Sequence, residues 1–127
     1  MNILLSDNIN SLGVLFGQLY VNLYSLDNEV NISEDIYNED FSKVNVAIVH
    51  PEYDNKNQGW SKLYKIMDEH KNIQFHLMIN NASERKDFFG IKENLIYIDN
   101  NNTNEMYSDP VKFITNQYTL FLQKQKS

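Results

Sequence analysis

The chain has 127 residues, 42% of them hydrophobic and 13% aromatic, enough for the core of one ordinary domain spanning 1–127. Its formal charge is −6, with 17 acidic against 11 basic residues, so we expect no direct nucleic-acid binding. It has no cysteine, which excludes disulfides and thiolate chemistry. No apolar run approaches the ~20 residues of a membrane span, and the N-terminus lacks a basic signal-peptide region. We therefore expect a cytoplasmic protein without membrane contact.

Apolar runs and turn formers divide the first part of the chain into short predicted elements. Asn2–Leu5 predicts a strand that ends at the turn formers Ser6 to Asn8. Apolar residues recur at helical spacing over Ile9–Tyr20, and a rough alternation over Val21–Leu26 suggests a short strand. Ser33–Asp35 indicates the start of a short helix.

The longest apolar run is Val44–Val49, which ends abruptly at His50 and Pro51. The run is rich in β-branched residues and too short for a helix, which is typical of a strand buried on both faces. Such a strand requires helices above and below it. We therefore expect it at the centre of the sheet, between Asn2–Leu5 and Ile73–Ile79.

Alternating helical and strand patterns fill the rest of the chain. They predict a loop over Pro51–Gly59, a helix over Trp60–His70, a strand over Ile73–Ile79, a helix over Ser83–Phe89, a strand over Leu95–Ile98 and a loop over Asp99–Ser108. Gly90 suits the end of its helix, and Asp109 with Pro110 suits the start of the last one. The alternation predicts an α/β fold with a doubly wound, five-stranded parallel sheet in the order 2-1-3-4-5.

Polar residues follow the predicted strands at their carboxyl ends, where open parallel sheets carry their binding sites. Asp7 follows the first strand, His50 the central one and Asn80 the next, and Asn100 lies just beyond the last. These four residues are the predicted lining of a crevice.

The order and lengths of these elements resemble the receiver domain of bacterial response regulators, over nearly the whole chain. The resemblance implies a flavodoxin-like three-layer sandwich. Gly59 matches a glycine that receivers have before their third helix, and Tyr97 matches an aromatic residue in their last strand.

The chain departs from the receiver pattern at the residues that carry receiver chemistry. Of an acidic pair after the first strand, only Asp7 remains. His50 occupies the position of the phosphate-accepting Asp, Asn80 that of a hydroxyl residue and Asn100 that of a lysine. That chemistry needs carboxylates for Mg²⁺, a carboxylate nucleophile and a lysine. The resemblance therefore implies a degenerate receiver, or pseudo-receiver, that works as a non-catalytic signalling or protein-interaction module.

Two other functions stay open for the crevice. An imidazole at position 50 can accept a phosphoryl group or act as a base, so His50 with Asp7 suits a phosphocarrier or a small enzyme. A small ligand or nucleotide sensed in the crevice is a third reading, while a histidine that only caps a loop is the structural alternative. Asp7 and Asp99 are candidate Mg²⁺ ligands, but both also suit caps and turns, so we expect no resident cofactor.

The resemblance also implies an interaction face formed by the fourth helix, the fifth strand and the fifth helix of a receiver. Here that face would include Tyr97, Phe113 and Leu120. The last helix has apolar residues beyond a single stripe, so we expect some of them to be exposed in a monomer and covered in a homodimer or by a protein partner. Deeper burial of this helix is the alternative.

Overall fold

The computed structural model describes residues 1–6, 29–50, 56–79 and 83–126. The elements in chain order are β1 (Asn2–Ser6), β2 (Glu29–Ser33), a 3₁₀ helix (Ile36–Asn38), β3 (Val46–Val49), α1 (Lys56–Glu69), β4 (Gln74–Met78), α2 (Ser83–Phe89), β5 (Leu95–Ile98), α3 (Thr103–Ser108) and α4 (Pro110–Lys126). The predictions for Ile9–Tyr20 and Val21–Leu26 lie outside the described residues. Within the described ranges, no helix is both long enough and apolar enough to cross a membrane.

The five strands form one parallel sheet in the order β2-β1-β3-β4-β5, which confirms the predicted topology. All four residues of β3 are buried, and its neighbours are β1 and β4. Ile48 pairs with Leu5 on one side and with His76 on the other. The β-branched run therefore lies at the centre of the sheet, where a strand is covered on both faces.

Side chains alternate along the strands between two apolar clusters, one on each face of the sheet. Ile48 belongs to the cluster that contains Met106 of α3 and Ile114 of α4. Val49 belongs to the other cluster, with Leu63 of α1 and Ile36 of the 3₁₀ helix. The chain is thus a three-layer α/β sandwich, and the carboxyl ends of its parallel strands share one edge.

Residues that typically end or begin a helix predict two helix boundaries correctly. Gly90 follows α2 with a φ of 66°, in the left-handed region that favours glycine. Asp109 precedes α4, and its Oδ1 accepts a hydrogen bond from the Lys112 N–H at 3.2 Å. These are the C-terminal glycine and the N-cap that the sequence predicts.

Three predicted boundaries are wrong, each where the apolar pattern is weak. The helix start expected at Ser33–Asp35 is a strand end followed by a single 3₁₀ turn, capped by the Asp35 carboxylate. The loop expected up to Gly59 is already helical from Lys56, and the loop expected over Asp99–Ser108 contains α3. These turns are short and mostly polar, so they leave no periodic signal.

Candidate functional site

Two of the candidate residues lie at the shared carboxyl edge of the sheet. His50 follows β3, and Asp99 follows β5. Val49 pairs with Leu77, and Leu77 pairs with Tyr97, so the strand ends are level. Because β4 lies between them and strands are about 4.8 Å apart, the ends of β3 and β5 are roughly 10 Å apart. His50 and Asp99 therefore lie at the same edge of the sheet, with the end of β4 between them.

The predicted crevice is described only in part. Asp7 and Asn80 lie outside the described residues. His50 is half-buried at the end of the central strand, and Asn100 is exposed in the turn after β5. The residue that the resemblance assigns to the lysine position of receivers is therefore a solvent-facing amide.

Asp99 is the most fully engaged carboxylate at this edge. Its side chain is 7% exposed, and its Oδ2 lies 2.7 Å from the Nζ of Lys86 on α2. Its Oδ1 accepts a hydrogen bond from the Asn101 N–H at 2.9 Å. The hydrogen bond from Lys86, followed by that from the Asn101 amide, lowers the pKa of Asp99. Both carboxylate oxygens thus have protein partners.

The candidate metal site gains no support from the described part of the chain. There, no three histidine or acidic side chains come close enough together to hold a metal ion. Asp99, one of the two candidate ligands, is paired with an ammonium group instead of standing open to a cation.

Sequence reasoning missed the two basic residues that approach this edge from α2. Lys86 binds Asp99, and Arg85 is completely buried with its Nη1 donating to the Ile79 carbonyl at 3.1 Å, just after β4. The signal was present in the sequence, since Arg85 is the only arginine in an acidic chain and Lys86 adjoins it. Periodicity alone gives no reason to place either side chain against a strand end.

The candidate interaction residue Tyr97 is held against α2. Its hydroxyl donates to the Gly90 carbonyl at 2.5 Å, and the Lys86 ammonium lies 5.6 Å from its ring centre. Partial burial raises the pKa of Tyr97 to about 12, so the hydroxyl stays protonated and remains a donor at neutral pH.

The other two candidate interaction residues differ from each other. Phe113 is one of the apolar residues of α4 that are buried: its side chain is 4% exposed and packs edge-on against His76, with ring centres 6.1 Å apart. The reason is that the buried face of α4 is wide and includes Phe113 beside Ile114. Leu120 is 51% exposed, and Leu122 is also exposed. Part of the apolar excess of α4 therefore faces solvent.

A groove of about 480 Å³ runs between β5 and α4. Its apolar lining comes from Ile91, Leu95, Ile96, Leu120 and Phe121. Ile91, in the loop before β5, is fully exposed. Exposed Ile and Leu side chains around one groove are typical of a surface that contacts another molecule.

Comparison with known proteins identifies the fold. The structure is similar to the crystal structure of a response regulator receiver domain protein (CheY-like) from Methanospirillum hungatei JF-1, with a TM-score of 0.63 over 97% of each chain. The fold is that of a receiver domain. The two sequences are 17% identical, no protein-family model matches the chain, and no curated protein matches it significantly. The receiver fold is therefore shown by structure, and function has to be argued from the site.

Proposed function

We propose that this chain is a non-catalytic, receiver-like signalling module, a single cytoplasmic domain that acts by binding a protein partner or a second copy of itself. The observation that carries the proposal is the position of His50, directly after the central strand of a receiver fold. In the receivers that the sequence resembles, this position holds the phosphate-accepting Asp. An imidazole there cannot form an acyl phosphate.

The pairing of the basic and acidic groups at the same edge also argues against phosphoryl transfer of the receiver kind. Phosphoryl transfer to a carboxylate relies on a bound divalent cation and on a positive side chain that neutralises the transferred group. Asn100 is neutral, and Lys86, which reaches this edge from α2, is already bonded to Asp99 at 2.7 Å. Asp99 in turn has no carboxylate oxygen left without a protein donor.

Association is supported by the apolar side chains that remain in solvent on one side of the molecule. Ile91 and Leu120 are exposed and line the groove between β5 and α4, and Leu122 is also exposed on α4. Burial of such side chains is favourable by about 25 cal/mol per Å² of apolar area. A partner or a second copy seated on this groove would cover them.

A phosphocarrier that uses His50 with Asp7 is the second candidate. It is favoured by the half-buried imidazole at the end of the central strand, where reactive residues of open parallel sheets lie. A small ligand or nucleotide bound in the same crevice stays a third reading.

Incubation with acetyl phosphate and Mg²⁺, followed by intact mass measurement at neutral pH, tests these functions. We expect no phosphoryl adduct, and no change of Tm with Mg²⁺, because a ligand stabilises a protein only when it binds the folded state. An adduct that disappears in His50→Ala but not in His70→Ala would establish the phosphocarrier. An adduct that survives both His50→Ala and His70→Ala and that hydroxylamine removes would mean that a carboxylate accepts phosphate, and it would contradict the proposal.

A further inference from the structure

The short helix α2 depends on its surroundings for its position. It has only seven residues, too few for a helix to be stable on its own. Three of its side chains attach it to the sheet. Arg85 reaches the Ile79 carbonyl after β4, Phe89 is buried in the core, and Lys86 reaches Asp99 after β5.

The contact of Lys86 with Asp99 is well placed to define where α2 lies. The Nζ–Oδ2 distance is 2.7 Å, and the Asp99 side chain is 7% exposed against 43% for Lys86. Because the other oxygen of Asp99 accepts the Asn101 N–H, the turn after β5 fixes the carboxylate. A charge-assisted bond to a fixed, largely buried acceptor restrains its donor more than a bond between two mobile surface groups.

Tyr97 and Gly90 add a second attachment at the end of the same helix. The Gly90 N–H donates to the Lys86 carbonyl at 2.8 Å, which closes the last turn of α2. The Gly90 carbonyl then accepts the Tyr97 hydroxyl, and the Tyr97 ring lies below the Lys86 ammonium. The contacts between α2 and β5 are thus continuous, and we name them the α2 latch: they involve Lys86, Gly90, Tyr97 and Asp99.

We propose that the α2 latch holds α2 against β5 in one arrangement, so that this side of the module keeps its shape without a covalent signal. The biological meaning of the latch rests on the proposed function, but the latch is a property of the isolated chain. Removal of the Lys86–Asp99 ion pair releases the end of α2 while the sheet and the other helices stay folded.

The single tryptophan reports directly on α2. Trp60 of α1 is buried, and its ring centre lies 5.5 Å from that of Phe88 and 5.8 Å from that of Phe89. Movement of α2 changes both contacts and lets water reach the indole. Trp60 fluorescence therefore follows the latch without any label.

The test compares Lys86→Met with the wild-type chain by hydrogen exchange and by Trp60 fluorescence. Methionine keeps an apolar stem near the Tyr97 ring and removes the charge. We expect about tenfold faster exchange of the amides in the last turn of α2, the size of effect that one charge-assisted hydrogen bond carries. We also expect a red shift of Trp60 emission, with unchanged exchange in β3. Lys86→Arg should restore the wild-type values.

Two further variants control the experiment. Asp99→Asn keeps an acceptor for the Asn101 N–H but loses the charge, so it should match Lys86→Met, and combining the two should add nothing. Lys65→Met removes an exposed pair with Glu69 (3.8 Å apart, side chains 76% and 56% exposed) and should change neither readout.

Two outcomes would overturn the latch. Wild-type exchange and fluorescence in Lys86→Met would mean that α2 does not need the ion pair, because Arg85, Phe89 and the Tyr97–Gly90 hydrogen bond hold it. Equal acceleration of exchange in α2 and β3 would mean that the ion pair only stabilises the whole fold, and Asp99→Asn allows the same comparison if Lys86→Met does not fold. Self-association of the same variants is measured separately, so failure of the latch and failure of the proposed function are distinguishable.

Discussion

His76 shows how a single buried side chain makes the fold sensitive to pH. It lies in the middle of β4 with 0% exposure, and its Nε2 is 2.9 Å from the Gln74 Oε1. The Gln74 amide nitrogen donates to the Gln117 carbonyl, so its oxygen must accept and the His76 Nε2 must carry the proton. Among the described residues, the His76 Nδ1 has no hydrogen-bond partner. The ring is therefore held in its neutral form, and burial lowers the pKa of His76 to about 3.

The first prediction is a loss of stability on mild acidification. In the unfolded chain the pKa of His76 is about 6.5, so protonation favours the unfolded state. The stability that the neutral, buried ring allows is complete above pH 6.5 and is lost progressively as the pH falls toward 3. We expect the free energy of unfolding to fall by about 2 kcal/mol between pH 6.5 and about pH 5. Urea unfolding at a series of pH values measures it.

His76→Gln separates this effect from other titrations, because it should flatten the profile in that interval. The lowered pKa of Asp99 changes the free energy of unfolding only below this interval, because the pKa of Asp in the unfolded chain is near 4. If the free energy of unfolding of His76→Gln falls with pH as steeply as that of the wild-type chain, another group causes the loss of stability.

At the scale of elements, one glycine sets the distance between α1 and the 3₁₀ helix. A Cβ at Gly59 would lie 2.9 Å from the Tyr37 Oη and 3.0 Å from its Cζ, closer than packed atoms approach. The match of Gly59 to the receiver pattern thus has a local physical reason, because a tyrosine ring occupies the space of its side chain.

The second prediction follows from this contact. Alanine is better than glycine inside a helix by about 1 kcal/mol, but overpacking costs about 1–3 kcal/mol. We expect Gly59→Ala to destabilise the wild-type chain by about 1 kcal/mol and to stabilise a Tyr37→Ala chain, as measured by urea unfolding in a double-mutant cycle. Lys62→Ala, at an exposed position of α1, is the control and should be nearly neutral. Stabilisation by Gly59→Ala in the wild-type chain would show that the ring gives way.

The elements also show what a sequence can and cannot predict. The bounds of α2 and β5 were correct because Ser83, Gly90 and a compact apolar run mark them. β2 was missed because it is an edge strand in which Glu29 and Asn31 face solvent. α3 was missed because its six residues bury only Met106, which leaves no helical period.

The candidate site divides in the same way. His50 and Asp99 could be placed at one edge because the carboxyl ends of parallel strands align. The partners of Asp99 could not be predicted, because Lys86 reaches Asp99 from another element. A contact between two elements leaves no periodic pattern in the sequence. Which apolar residues of α4 are exposed could not be predicted either: Phe113 is buried and Leu120 is exposed, because the width of a buried helix face depends on how the helix packs on the sheet.

At the scale of the whole molecule, charge and apolar surface oppose each other in self-association. Each chain carries a formal charge of −6, so two copies repel one another. The exposed side chains of Ile91 and Leu120 favour contact around the groove between β5 and α4. Salt screens the repulsion but leaves the burial of apolar area in place. Association between copies should therefore strengthen as the NaCl concentration rises.

The third prediction places that association on Leu120. Because this side chain is 51% exposed, Leu120→Glu should leave folding almost intact while it puts a charge into the contact. We expect light scattering over a concentration series to show that Leu120→Glu has lost self-association at all salt concentrations. Ile32→Glu, on β2 at the other end of the sheet and 44% exposed, should associate like the wild-type chain. Phe113→Glu is unsuitable, because it would bury a charge and unfold the chain. A wild-type chain that stays monomeric at high salt and binds no partner would contradict an association surface on α4.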